Sequence, residues 1–188
     1  LHTKIFEFGA VTLSNMFAKP DKTPEQISDD MVEYVKSQLE TVEWFKEIDP
    51  DTQLIGVGGS LRNLGKISRK LKKYPLDMAH NYHISFNELE TIYDTIKPME
   101  PEKLIRIKGL SSARADIFPA ALAVVDAIKA RTNFNEIVIG GAGMREGAML
   151  RYACPTITEK PISDILGHSI YTLLHHFNMN IQHAEHVF

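Results

Sequence analysis

The chain has 188 residues, 44% hydrophobic and 24% charged, with a formal net charge of −3 at pH 7. That is an ordinary globular composition, long enough to bury a core, and its weak negative charge gives no basic field for nucleic acid or an anionic membrane. The single Cys154 excludes an internal disulfide framework and suits a reducing compartment, and no apolar run approaches the ~20 residues of a membrane span.

In chain order, "KIFEFGAVTL" carries partly alternating apolar residues and predicts a strand over 3–8 that leaves through Gly9. Thr23-Pro24-Glu25-Gln26 opens a helix over 24–46. Thr23 caps it, Pro24 takes the first helical position, and Gln26 closes a capping box. Ile27, Met31, Val35, Leu39 and Val42 form its apolar stripe. A strand over 53–57 runs into Gly58-Gly59-Ser60 and a helix over 61–73. Ser85-Phe86-Asn87-Glu88 is a second capping box, opening a helix over 86–97. "PEKLIRI" reads as a short helical segment, and 116–131 as an apolar helix with Pro119 tolerated near its start. A strand over 136–140 enters Gly140-Gly141 and a helix over 144–152, and from Pro161 onward the pattern is helical and rich in histidine. Strands alternating with helices predict an α/β fold, with the three strands in one sheet.

Twice, then, an apolar strand meets a Gly-Gly turn and a helix carrying an arginine: "IGVGGSLRNL" with Arg62 and "IGGAGMREGAML" with Arg145. Glycine admits positive φ and close approach of a ligand, and a helix starting after the turn offers free N–H groups and a positive dipole end to an anion. Arginine adds bidentate contacts to phosphate, or pairs with a carboxylate nearby. A dinucleotide fingerprint fails, because Leu61 stands where its third glycine belongs, although Asp77 lies at a ribose-binding distance in sequence. A phosphate-holding turn and a plain strand-to-helix connection both remain open for Gly58, Gly59 and Ser60.

"FGAVTLSNMF", "IGVGGSLRNL", "GLSSARADIFPAALAVV" and "IGGAGMREGAML" resemble, in order and spacing, the exopolyphosphatase/guanosine pentaphosphate phosphohydrolase (Ppx/GppA) family. The resemblance implies the ribonuclease H-like lobe of the superfamily of actin, sugar kinases and heat-shock chaperone ATPases. Residues 1–156 would be most of the second lobe of the phosphatase domain, and 157–188 a helical linker into a truncated C-terminal helical domain. Two Asp-x-Gly phosphate loops and a catalytic Glu stand before the first of these motifs in the family. A chain that begins at Leu1 and stops at "HAEHVF" is therefore expected to be a piece of a longer protein, with no catalytic residue of its own and no turnover alone. Mg²⁺ is the implied cofactor, held mainly by that upstream part.

The resemblance implies phosphoanhydride hydrolysis of polyphosphate or guanosine pentaphosphate in the cytoplasm. The implied partner is the upstream lobe, with a homodimer left open and neither nucleic acid nor membrane involved. A phosphate- or nucleotide-binding regulatory module of the same fold is the alternative. Arg114 is the leading cleft residue, its rival role being an ion pair with Asp116 or Glu102. Gly58, Gly59, Ser60 and Arg62 are expected to bind substrate. Arg145-Glu146-Gly147 matches the family's "LREG", with Glu146 complementing the helix dipole. His175, His176, His183 and His186 read as solvated helix residues rather than metal ligands. The basic run 68–73 reads as a solvated face or as a guide for polyanions, and Cys154 as a small hydrophobe rather than a nucleophile.

Overall fold

A computed structural model of the protein describes residues 2–49, 52–153 and 164–187. The expected strand at 3–8 does not form, and residues 2–9 join no ladder. Alternation requires only something apolar along one side, and here a helix supplies it. Phe6 and Phe8 lie 5.1 Å apart between ring centroids, and Phe8 meets Tyr34 edge-on at 5.6 Å. Gly9 instead caps a helix, α1 (Ala10–Phe17), which drives Leu13 fully into the core.

Helix α2 (Pro24–Glu40) starts as its sequence dictates. Thr23 N–H donates to Gln26 Oε1 at 3.0 Å, and Gln26 N–H returns the bond to Thr23 Oγ1 at 3.3 Å. Met31, Val35 and Leu39 are buried along its stripe; Val42 is buried just past its end, ahead of a 3₁₀ turn over Glu43–Glu47. There follow β1 (Ile55–Gly56), α3 (Gly59–Leu71), β2 (Tyr82–Ser85), α4 (Phe86–Ile96), α5 (Pro101–Leu104), a 3₁₀ turn over Ser112–Arg114, α6 (Phe118–Lys129) and β3 (Glu136–Ile139).

The sheet has the order β1-β3-β2. β1 pairs parallel to β3, Ile55 opposite Val138 and Gly56 opposite Ile139, as the expectation of one sheet requires. β2 is an addition, antiparallel to β3 with Ile84 opposite Ile137. Its Tyr82 and Ile84 are buried while His83 and Ser85 face out, a period of two over only four residues. The second capping box is half formed. Ser85 Oγ accepts from Glu88 N–H at 3.3 Å, but the Glu88 carboxylate turns away to the hydroxyl of Ser68 on α3 and the ammonium of Lys72, which caps the end of that helix.

Helix α6 is the centre of the core, with Phe118, Ala120, Leu122, Ala123, Val125 and Ala127 buried against α1, α2 and α4. Its alanines allow α2 to approach closely. Leu64 and Ile67 seat α3 on β2 and β3. Full burial of side chains such as Leu64, Ile84 and Leu89 contributes about 1.5–3 kcal/mol each.

The chain divides into two compact units, Leu1–Gly143 and Met144–Phe188. The second holds α7 (Met144–Ala153), α8 (Ile165–His176) and α9 (Ile181–Val187). Asp164 caps α8 by accepting from Gly167 N–H at 2.8 Å, and α8 packs on α9. Among the described residues no helix is long and apolar enough to cross a membrane.

Candidate functional site

Because β1 and β3 are parallel, both Gly-Gly turns leave the same end of the sheet, the carboxyl end of the strands, at which open α/β sheets place ligands. Backbone pairing carries on into the second turn, with Gly140 N–H donating to the Gly56 carbonyl at 2.7 Å. The Gly141 N–H donates to His80 Nδ1 at 3.3 Å, and its carbonyl accepts from Arg62 Nη1 at 3.3 Å. A Cβ on Gly141 would fall 2.8 Å from His80 Cβ and 3.2 Å from His80 Cα, so a side chain does not fit there. Arg62 thus reaches from α3 across to the other turn.

In the first turn the two glycines serve different ends. Gly58 has φ +105° and ψ 174°, a backbone state that side chains rarely adopt. Gly59 opens α3, whose N-terminus no side chain caps. A Cβ on Gly59 would lie 2.5 Å from Cζ and Nη2 of Arg114, so the guanidinium lies directly against the first residue of the helix. Ser60 is half-buried in the same first turn.

Two devices bring Arg114 there from a distant part of the chain. Gly109, at φ +101°, packs its backbone against that of Lys66 and Ile67; a Cβ would meet Ile67 N at 2.9 Å. Asn63 then joins the segments, its Oδ1 accepting from Ser111 N–H at 2.8 Å and its Nδ2 donating to the Gly59 carbonyl at 2.8 Å. The result is an open depression of about 300 Å³ lined by Gly59, Arg62, Asn63, Lys66, Ser111 and Arg114.

Of the residues expected from the sequence, Gly59, Arg62 and Arg114 line this depression, while Gly58 and Ser60 flank Gly59. Asn63 and Lys66 were not anticipated, though 59, 62, 63 and 66 are one face of a helix at its natural spacing. Arg114 pairs with neither Asp116 nor Glu102: Asp116 Oδ1 accepts from the Ile117 N–H at 3.0 Å. Neither Arg114 nor Lys66 has an ion pair among the described residues, and no carboxylate lines the depression. Three cations and a helix N-terminus together make it a place for an anion. Mg²⁺ asks for oxygen ligands, carboxylates above all, and this lining does not fit it.

The remaining candidates lie elsewhere. Arg69 is buried, donating to the Met78 carbonyl at 2.7 Å and standing 3.5 Å from Asp77, the residue at ribose distance in sequence. Within the run 68–73, Arg69 and Lys72 are therefore already engaged. Arg145, Glu146 and Gly147 fall in the first turn of α7, which buries no residue, and a Cβ on Gly147 would meet nothing within 4 Å. His175, His176, His183 and His186 are all exposed, and among the described residues no group of three His, Cys, Asp or Glu is placed to hold a metal. Cys154 lies outside the described residues.

The model of the Ppx/GppA phosphatase family matches residues 5–154. The chain belongs to that family. The crystal structure of the Ppx/GppA family member of Aquifex aeolicus is similar at 19% identity and a TM-score of 0.66, over 80% of this chain and 48% of that one. An exopolyphosphatase from Cytophaga hutchinsonii is similar at 19% identity and a TM-score of 0.71, over 82% and 50%. No curated protein matches the chain. This Ppx/GppA chain thus spans about half the length of its solved relatives and shares their fold, an α/β lobe with a mixed sheet. The family match runs on through α7, past the break between the two compact units.

Proposed function

We propose that this chain forms the phosphate-binding wall of a phosphoanhydride hydrolase that releases phosphate from inorganic polyphosphate or guanosine pentaphosphate. The observation that carries the reading is the gathering of Arg62, Lys66 and Arg114 in one depression that takes in Gly59, at the uncapped start of α3. In phosphoryl transfer, charge spreads over the non-bridging oxygens, so catalysis rests on positioning and on fixed positive charge. Here the planar guanidinium of Arg114 donates to two oxygens of one phosphate. Lys66 neutralises the neighbouring phosphate as a point charge, and the first N–H groups of α3 hold a third set of oxygens. Arg62, tied to the Gly141 carbonyl, keeps the two glycine turns in register behind the anion.

A carboxylate that could orient a water for attack is absent from the lining among the described residues. That group, and the Mg²⁺ that would polarise the phosphate oxygens, belong in our reading to another part of the protein, so residues 1–188 bind the polyanion without turning it over. A purely regulatory phosphate-binding module is the second reading, favoured by the same lack of a carboxylate in the depression. Phosphate release should be followed for the full-length protein and for residues 1–188, with polyphosphate and guanosine pentaphosphate, with and without Mg²⁺. Release by the full-length protein only supports the hydrolase. Tight binding without release by either favours the module, and no binding by either overturns both.

A further inference from the structure

Asn63 makes two hydrogen bonds of opposite sense at the centre of the depression, to the Gly59 carbonyl and from the Ser111 N–H. A carbonyl can only accept and a backbone N–H can only donate, so one amide orientation alone serves both. The connections then close on themselves. The carbonyl of Ser111 accepts from the Arg114 N–H at 2.9 Å, which sets the 3₁₀ turn, and the Arg114 guanidinium returns to lie against Gly59. Gly59, Asn63, Ser111 and Arg114 thus form a ring in which Asn63 is the only link made by a side-chain hydrogen bond.

We propose that Asn63 is a positioning residue that holds Arg114 in register with the first turn of α3, so that guanidinium and helix N–H groups meet the same phosphate. The inference rests on the anion-binding reading above. Asparagine inside a helix gives up propensity to Ala, and its bond to the carbonyl one turn back slightly loosens that turn. Gly109 keeps the loop docked on Lys66 and Ile67 independently of this bond. Losing the Asn63 amide therefore frees the direction of Arg114 without detaching the loop.

The test is a double-variant cycle on the full-length protein, with inorganic tripolyphosphate as titrant in a calorimeter. Asn63→Ala should weaken binding about tenfold with the melting temperature close to that of the parent. Asn63→Ala combined with Arg114→Ala should bind no more weakly than Arg114→Ala alone, since the first residue acts through the second. Ser111→Pro approaches the same bond from the other end: Ser111 has φ −72°, which proline adopts, and the change removes the donor N–H together with the hydroxyl, whose separate effect Ser111→Ala reports. Ser111→Pro should reproduce the loss seen with Asn63→Ala, and it carries the comparison if that variant does not fold. Unchanged binding by Asn63→Ala and Ser111→Pro, or losses that multiply in the double variant, would overturn the positioning role. If Arg114→Ala itself binds normally, the fault lies instead with the anion-binding reading.

Discussion

The guanidinium of Arg114 occupies the space that a side chain on Gly59 would need, since a Cβ there would come within 2.5 Å of its Cζ. Gly59 sits in ordinary helical backbone, so Ala is tolerated locally and even gains helix propensity. The obstruction is the end of a flexible side chain, which can swing aside. Gly59→Ala should therefore leave stability within about 1 kcal/mol of the parent while displacing Arg114 and weakening tripolyphosphate binding. Paired melting and titration curves would check it; parent-like binding would mean that Arg114 works equally well from another position.

Gly58, one residue earlier, predicts the reverse. Nothing lies within 4 Å of a Cβ there, yet φ is +105°. Gly58→Ala should cost about 1–3 kcal/mol of stability through backbone strain alone. A shifted urea midpoint with unchanged slope is the expected result, and an unchanged midpoint would mean that the turn relaxes freely.

The difference between these two glycines shows where sequence reasoning runs out. "IGVGGSLRNL" announces a strand, a turn and a helix, and the placing of β1 and β3 in one sheet, Ile55 opposite Val138 and Gly56 opposite Ile139, follows from two such units in one α/β chain. Asn63 and Lys66 were also legible, as the next positions on the helix face of Gly59 and Arg62. What no local pattern reports is that Ser111, 48 positions from Asn63, donates to it. Only the packing of distant segments shows that Arg114 lies against Gly59 and pairs with neither Asp116 nor Glu102 among the described residues. The two strand errors have a common cause. Phe6 and Phe8 alternate but satisfy their faces on a helix, whereas Tyr82 and Ile84 alternate for only four residues beside a capping serine that draws attention to α4. Alternation measures one-sided burial, and it does not say what lies on the buried side.

Arg114 itself should affect binding more than folding, because among the described residues it has no ion pair to lose. A contact to a charged phosphate is worth on the order of 1.5–3 kcal/mol, so Arg114→Ala should weaken tripolyphosphate binding roughly tenfold to a hundredfold. Arg114→Lys should recover only part of this, since a point charge does not reproduce the planar fork. Binding by titration and stability by thermal melting, measured on the same variants, separate the roles. A lower melting temperature with intact binding would make Arg114 part of the scaffold.

Asp126 offers a test of the core rather than the site. It lies half-buried on α6, and burial, more than any neighbour, pushes its carboxyl above the ordinary value; Lys129 and Lys36 pull it back, while Glu90 and Asp94 add to the rise. With the folded pKa above the unfolded one, the folded state binds more protons in the window between them. Stability therefore falls as pH rises from the ordinary carboxylate range, about 3.9, through the raised folded value, and the penalty stands in full above that. Asp126→Asn removes the penalty. The variant should be more stable than the parent at neutral pH, by less than about 1 kcal/mol because the group is only partly shielded from water. The advantage should shrink towards zero as pH is lowered to where the parent carboxyl is protonated in both states. Thermal unfolding of both proteins across that range would show it. An Asn variant less stable than the parent at neutral pH would mean that the attraction of Lys129 and Lys36 outweighs burial.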